Sequence, residues 1–289
     1  MKNLFVLILI FFSQTNFSQS IDIQGHEKNV LFLAYLDNQG IPVKVGSGFL
    51  ITIDGIFHLV TAKHVVTIQG NNGQLTNNFV DSNLFVFYRQ KTGKIGFKKI
   101  TDIKKQYKVD WMFHPDINVD IAFIPFDIDT LKDDLKVVTQ GNFVDQKRLF
   151  STYDTYFVTY QPGLGNLDDL KPIFRKGTIA RVEKNIIYMD AFAFPGNSGS
   201  PVFLKPSFIR YDNNSVNLGG DPLGDKFVGI IGQYIPYQDV AISAQTNRPR
   251  IVFEENAGIA IVYSIDLLNE IIHDPKTIKQ IEYIKKNFK

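Results

Sequence analysis

Short runs of β-branched and aromatic residues, each ended by a turn signal, recur along most of this chain and restrict it to an all-β architecture. Residues 49–53 and 56–61 are separated by Asp54-Gly55, whose composition suits the type I′ turn that joins twisted antiparallel strands. Residues 84–88, 95–100, 111–114 and 121–126 read as further strands of a first half, and 126–145, with mixed Asp and Lys, as a connection. A second series follows at 156–160, 173–182, 186–192, 202–204, 227–234 and 259–263. The 25 Phe and 12 Tyr of the sequence favour strands over helices. Many short strands with frequent turns argue a sandwich or barrel. Residues 211–225, with Asn213-Asn214, Gly219-Gly220 and Gly224, and residues 236–250 read as long surface loops. Ser264 suits a helix N-cap, and Ile265, Leu268, Ile271 and Ile272 recur at helical spacing. Asp274-Pro275 interrupts this pattern before a second helical stretch, and both helices are expected to dock on the strands beside them.

The first twenty residues obey different rules. Lys2 precedes an apolar stretch at 4–12 that is too short to span a bilayer, and Ser18 and Ser20 are small residues at a cleavage site. A signal peptide over 1–20 is expected, leaving a secreted or periplasmic protein with no stable membrane association; the alternative is an uncleaved anchor. Export permits disulfides, yet the sequence has no cysteine. A net charge of +2 gives no argument for a nucleic-acid partner. No His-x-x-x-His, cysteine pair or phosphate-binding glycine loop occurs, so no metal or other cofactor is expected. Gly219-Gly220-Asp221 and Asp81-Ser82 read as ordinary loop sequences.

One segment carries chemistry. In Pro195-Gly196-Asn197-Ser198-Gly199-Ser200-Pro201-Val202 a serine stands between glycines, after a turn and before an apolar run. The amides of Gly196 and Ser198 are placed to converge on a developing oxyanion. A serine hydroxyl is a weak nucleophile and needs a base with an orienting acid. His64, in Val60-Thr61-Ala62-Lys63-His64-Val65, is the candidate general base, because imidazole takes and returns a proton near neutrality. His58 is the alternative, inside a strand. Asp120 is the candidate orienting acid. It opens the apolar run Ile121-Ala122-Phe123-Ile124, where an unpaired carboxylate is costly. Asp110 and Asp116 compete, each in a polar or proline-adjacent segment.

Gly46-Ser47-Gly48-Phe49-Leu50-Ile51, Thr61-Ala62-Lys63-His64, Val119-Asp120-Ile121-Ala122 and Gly196-Asn197-Ser198-Gly199-Ser200-Pro201 together make the chain resemble the trypsin-like (chymotrypsin-fold) serine proteases. The serine motif is worded like the bacterial glutamyl-endopeptidase and HtrA-type branches, here expected without a PDZ domain. The resemblance covers residues from about 25 to about 265 and implies two six-stranded antiparallel β-barrels with a C-terminal helix. It divides the chain into a signal peptide (1–20), a first barrel carrying His64 and Asp120 (21–130), a connection (131–150), a second barrel carrying Ser198 (151–263) and a helical segment (264–289). It implies a serine endopeptidase acting on proteins or peptides, with His64, Asp120 and Ser198 catalytic and Gly196 and Ser198 forming the oxyanion hole. It places Phe192 at the base of the specificity pocket and Ile231 and Gly232 in its wall. No acid, and no wall histidine, stands there, so small or apolar P1 residues are expected. Asn197 departs from the aspartate of the animal enzymes, which removes the ion pair to a newly cut N-terminus. The alternative function is a catalytically silent peptide- or protein-binding module on the same fold.

Overall fold

Backbone pairing sorts the strands into two antiparallel groups that follow one another along the chain. The computed structural model describes residues 25–288 except 71–72, 165–166, 168–169, 213–214, 220 and 222. The expected signal peptide lies outside the described residues. The first group comprises β1 (Val30–Leu36), β2 (Pro42–Ile53), β3 (Ile56–Thr61), β4 (Leu84–Arg89), β5 (Ile95–Lys99), β6 (Met112–Phe113) and β7 (Ala122–Pro125). They form one sheet in the order β5-β4-β1-β2-β3-β7-β6. The second group comprises β8 (Asp154–Thr159), β9 (Ile173–Glu183), β10 (Ile186–Asp190), β11 (Pro201–Leu204), β14 (Phe227–Ile242) and β15 (Pro249–Ser264). These close into a barrel in the order β10-β15-β14-β11-β8-β9.

The all-β architecture is therefore present, with a closed six-stranded barrel in the second half. The first half differs in detail from the expected six-stranded barrel: it is a seven-stranded sheet whose edge strands β5 and β6 do not pair with each other. Strand β5 runs directly into helix α2 (Ile100–Tyr107), and Pro115 follows the two-residue β6 closely, so neither edge extends far enough to close. The Asp54-Gly55 turn forms as its composition requires, with φ of 52° and 80°.

Both expected loops in the second half contain strands. Residues 236–250 belong to a long hairpin in which β14 and β15 stay paired from Gly229↔Ser264 out to Ile242↔Pro249. Its outer part is solvated on both faces, so no alternation of apolar and polar residues marks it as strand. Within 211–225, β12 (Ile209–Asp212) pairs with β13 (Ser215–Leu218). Arg210 of β12 turns inward, where its Nε lies 3.1 Å from Asp221 Oδ1 and its guanidinium stacks 4.6 Å from the Tyr153 ring centre.

Two apolar clusters make the core. One runs through both halves, and in it Phe49 of β2 meets Phe227 of β14 with ring centres 5.0 Å apart. Full burial of each such ring stabilises by about 1.5–3 kcal/mol. The other lies under the first sheet and includes Leu31, Leu50, Leu59, Trp111 and Phe126. The segment between the halves is stitched to both: Val138 N donates to Leu50 O (2.8 Å) and Val144 N to Phe227 O (3.0 Å).

The chain finishes with α3 (Ile265–Ile272) and α4 (Pro275–Asn287). Ser264 sits at the N-cap of α3, but its hydroxyl makes no capping bond. Asp274 does cap α4, accepting from Lys276 N at 2.8 Å, with Pro275 pre-set for the first helical position. Helix α4 returns to the first half: Ile281 enters the shared cluster, Ile284 enters the cluster under the first sheet, and Lys285 pairs with Asp54 at 2.8 Å.

Candidate active site

Strand register brings His64 and Asp120 together. Thr61 of β3 is opposite Ala122 of β7, so the residues just after the one strand and just before the other lie side by side. His64 follows on the single-turn helix α1 (Lys63–Val66). Its backbone N–H donates to Asp120 Oδ1 at 2.8 Å and its Nδ1 to Asp120 Oδ2 at 2.6 Å. Both carboxylate oxygens thus grip one residue. The arrangement places the proton on Nδ1 and leaves Nε2 as the outward-facing basic nitrogen. The Asp120 side chain is 4% exposed and that of His64 19%, so the pair is shielded but open on the imidazole side.

The competing residues are engaged elsewhere. His58 is buried on β3 against Phe123, and its Nδ1 donates to Ile56 O at 3.0 Å. Burial pushes its pKa down to about 4, which keeps it neutral. Asp110 pairs with Lys104 at 2.5 Å, and Asp116 accepts from Asn118 N in an exposed turn.

The Ser198 segment is a rigid turn locked from both halves. Asn197 is fully buried. Its Oδ1 accepts from Phe194 N (2.8 Å), and its Nδ2 donates to Thr159 Oγ1 (2.9 Å). A neutral amide, which both donates and accepts, meets these partners without a buried charge. Gly199 N donates to Ile231 O (2.7 Å), tying the turn to β14. From β2 of the first half, Ser47 N donates to Ser198 O (2.8 Å), and Ser47 Oγ donates to Gly196 O (3.0 Å).

Two positions in this turn require glycine. Gly196 and Gly199 have φ of 96° and 87°. A Cβ on Gly199 would lie 2.0 Å from Ser47 O, and one on Gly196 would lie 2.7 Å from Pro162 Cδ. Among the described residues, the amides of Gly196 and Ser198 donate to no acceptor.

His64 and Ser198 border one cavity of about 210 Å³, walled by Ala193, Phe194, Ile231, Gly232 and Tyr234. Ile231 and Gly232, two of the expected pocket residues, line this cavity, and Phe192, the third, does not. Phe192 is 56% exposed and stacks on Phe194, ring centres 6.3 Å apart. It lies past the end of β10, between the buried Ala191 and Ala193. Two contributors escaped the sequence reading. Asn256 of β15 donates to Ala193 O (2.6 Å) and braces the wall. Tyr263 fills the space beside Gly232, where a Cβ would come within 2.4 Å of its ring. A larger cavity of about 320 Å³, lined by Val45, Tyr160, Pro162 and Leu164 among others, holds neither His64 nor Ser198. Among the described residues no group of His, Asp and Glu is arranged to hold a metal ion, and no helix is long and apolar enough to cross a membrane.

An all-β chain in two antiparallel halves, with a glycine-locked serine turn at their junction, has the chymotrypsin-like fold. The family model described as a trypsin-like peptidase domain matches residues 46–206, more than half of the chain, and the chain belongs to that family of peptide-bond hydrolases. Among solved structures, the serine endoprotease from Yersinia pestis is similar at 15% identity with a TM-score of 0.49. That likeness covers 88% of this chain and 64% of the Yersinia chain. No curated protein matches the chain.

Proposed function

We propose that the chain is an exported serine endopeptidase that cleaves peptide bonds through an acyl-enzyme. The reading is carried by one observation: Asp120 grips His64 through both oxygens at the cavity that Ser198 also borders. Ser198 Oγ attacks the scissile carbonyl, and His64 Nε2 takes its proton and then returns it to the leaving amine. Asp120 fixes the imidazole tautomer and stabilises the imidazolium that forms. The carbonyl oxygen, as it becomes an oxyanion, is received by the unpaired amides of Gly196 and Ser198. Loss of one such donor typically costs about 10²–10³ in turnover. Water then attacks the acyl-enzyme with His64 again as base.

The cavity wall combines apolar surface from Ala193, Phe194 and Ile231 and the backbone of Gly232 with the uncharged polar side chains of Gln69, Gln233 and Tyr234, and the absence of a fixed charge among them suits a small or apolar P1 side chain. In this reading the first half (21–130) carries base and acid, the second (151–263) carries the nucleophile, 131–150 joins them and 264–289 packs behind. The 1–20 segment is removed on export, leaving the enzyme secreted or periplasmic and not held at a membrane.

The test is reaction of the mature protein with a fluorophosphonate probe. Labelling that disappears in Ser198→Ala, together with a folded variant, supports the reading. A folded wild-type chain that never labels, and cleaves nothing in a proteome-derived peptide library, is a silent binding module instead. Mass spectrometry of the secreted form should show a new N-terminus near Ser20; residues 1–20 retained on the mature protein would refute the export claim.

A further inference from the structure

Lys63, the residue before His64, has no exposed surface. It is the only lysine buried in this way among the described residues. Its ammonium donates to Ile117 O at 3.2 Å and lies 4.9 Å from the centre of the Phe113 ring. Among the described residues no carboxylate comes within ion-pair distance of it. A buried ammonium so sparsely partnered is costly to hold. Burial pushes its pKa below the usual lysine value, and the negative charges of Asp120 and Asp116 oppose that shift. A leucine or methionine would fill the space without this cost, so the charge at this place calls for a reason.

The partners supply one. Ile117 belongs to the loop 114–119 that delivers Asp120. Helix α1, which carries Lys63, delivers His64. The Lys63–Ile117 bond therefore ties the element holding the base to the loop holding the acid. From the opposite side Tyr263 Oη donates to Asn118 O at 3.5 Å, so the same loop is held from the second barrel. Both Asp120 oxygens are taken up by His64 itself, and Gly232 beside them has no side chain to contribute a donor.

We propose that Lys63 is a positioning residue for the reaction. Its ammonium fixes the 114–119 loop so that Asp120 meets His64 squarely. It also places a positive charge near enough to interact with Asp120 and Asp116. The inference rests on the Ser198–His64–Asp120 reading above. The charged and titratable groups facing the pair are Asp120 itself, Asp116 on the loop, Lys63 on α1 and Tyr263 on β15. Burial holds Tyr263 neutral, well above the usual tyrosine range. His114 of the same loop is turned to Glu270 at 2.8 Å.

The test measures the fluorophosphonate labelling rate of the full chain against pH for wild type, Lys63→Met and Lys63→Arg. This readout needs no knowledge of the natural substrate. Removing a nearby positive charge makes the imidazole easier to protonate, so the acid limb of Lys63→Met should move to higher pH. A shift of roughly 0.5–1 unit is expected on loss of one nearby unit charge. The plateau rate should fall by roughly tenfold as Asp120 loses its fixed placement. Lys63→Arg, which keeps the charge, should restore the limb.

A folded Lys63→Met with wild-type limb and plateau overturns the proposal. If Lys63→Met fails to fold, Lys63→Gln is measured in its place. Failure of both to fold makes Lys63 a folding residue and also overturns the proposal. Collapse of the underlying triad reading is separately visible: wild type would not label, or Ser198→Ala would label as wild type does.

Discussion

His58 gives the sharpest test of how burial shapes this protein. It is fully enclosed on β3, its Nδ1–H is spent on Ile56 O, and its Nε2 has no partner. Burial lowers its pKa from 6.5 to about 4. The sign follows directly. Between these values the unfolded chain binds a proton at His58 that the native chain refuses, so stability falls as pH drops through this window. Integrating the difference from pH 7 to pH 4.5 gives a loss of roughly 2–3 kcal/mol from this residue alone.

Other groups titrate over the same range, so the informative quantity is a difference between two proteins. His58→Leu keeps most of the volume, removes the titration and gives up the bond to Ile56, at a cost of about 1 kcal/mol at pH 7. Urea unfolding of both proteins at pH 7 and pH 4.5 checks the reasoning. Wild type should lose roughly 2–3 kcal/mol more than the variant on acidification, and the variant should be the more stable protein at pH 4.5. Equal losses would show that His58 is not held neutral by burial.

Three further outcomes are expected. Gly199→Ala should fail to fold or lose most of its thermal stability, because the new methyl meets Ser47 O at 2.0 Å in a backbone conformation that L-residues avoid; a melt within a few degrees of wild type would refute the clash. Burial alone would push the Asp221 carboxyl up, but Arg210 and the amides of Ser207 and Leu223 hold it below the usual range. Arg210→Met should therefore cost about 3–5 kcal/mol in denaturant unfolding at neutral pH, with part of the loss recovered by adding Asp221→Asn, which removes the unpaired charge and keeps an acceptor for those amides. In peptide-library cleavage, Ala, Val and Leu at P1 should exceed Arg, Lys and Glu, with weak discrimination among the alkyl groups, about 1–3 kcal/mol per methylene; a profile dominated by charged P1 residues would show that the long β14–β15 hairpin, not the cavity wall, selects substrate.

What could be read from the sequence is what local chemistry dictates. The Asp54-Gly55 turn needs two residues at positive φ and has the composition for it. Asp120 heads an apolar run, so its burial and need for a partner are legible, and the pairing of β3 with β7 explains why that partner is His64. Phe192 lies past the end of β10 and stacks on Phe194 at the surface, and no period-2 or helical pattern fixes the direction of a side chain in such an irregular segment. The outer part of the β14–β15 hairpin was read as loop because its strands are solvated on both sides; their pairing is held by backbone bonds that leave no mark on residue choice. Lys63 looked like one more polar residue of the His64 motif. Its burial comes from Phe113 and Ile117, some fifty residues on, and no local pattern encodes that contact.

Helix α4 sets an order of events during synthesis. The cluster under the first sheet takes in Ile284, and the turn at Asp54 takes in Lys285, more than two hundred residues downstream. A nascent chain that has made every strand of the first half still lacks the side chains that seal it. That half therefore gains its last buried side chain only when the opposite end of the chain has emerged and wrapped back. A chain built this way closes the packing of its first half last, so loss of its final turns should be felt at the opposite end of the molecule.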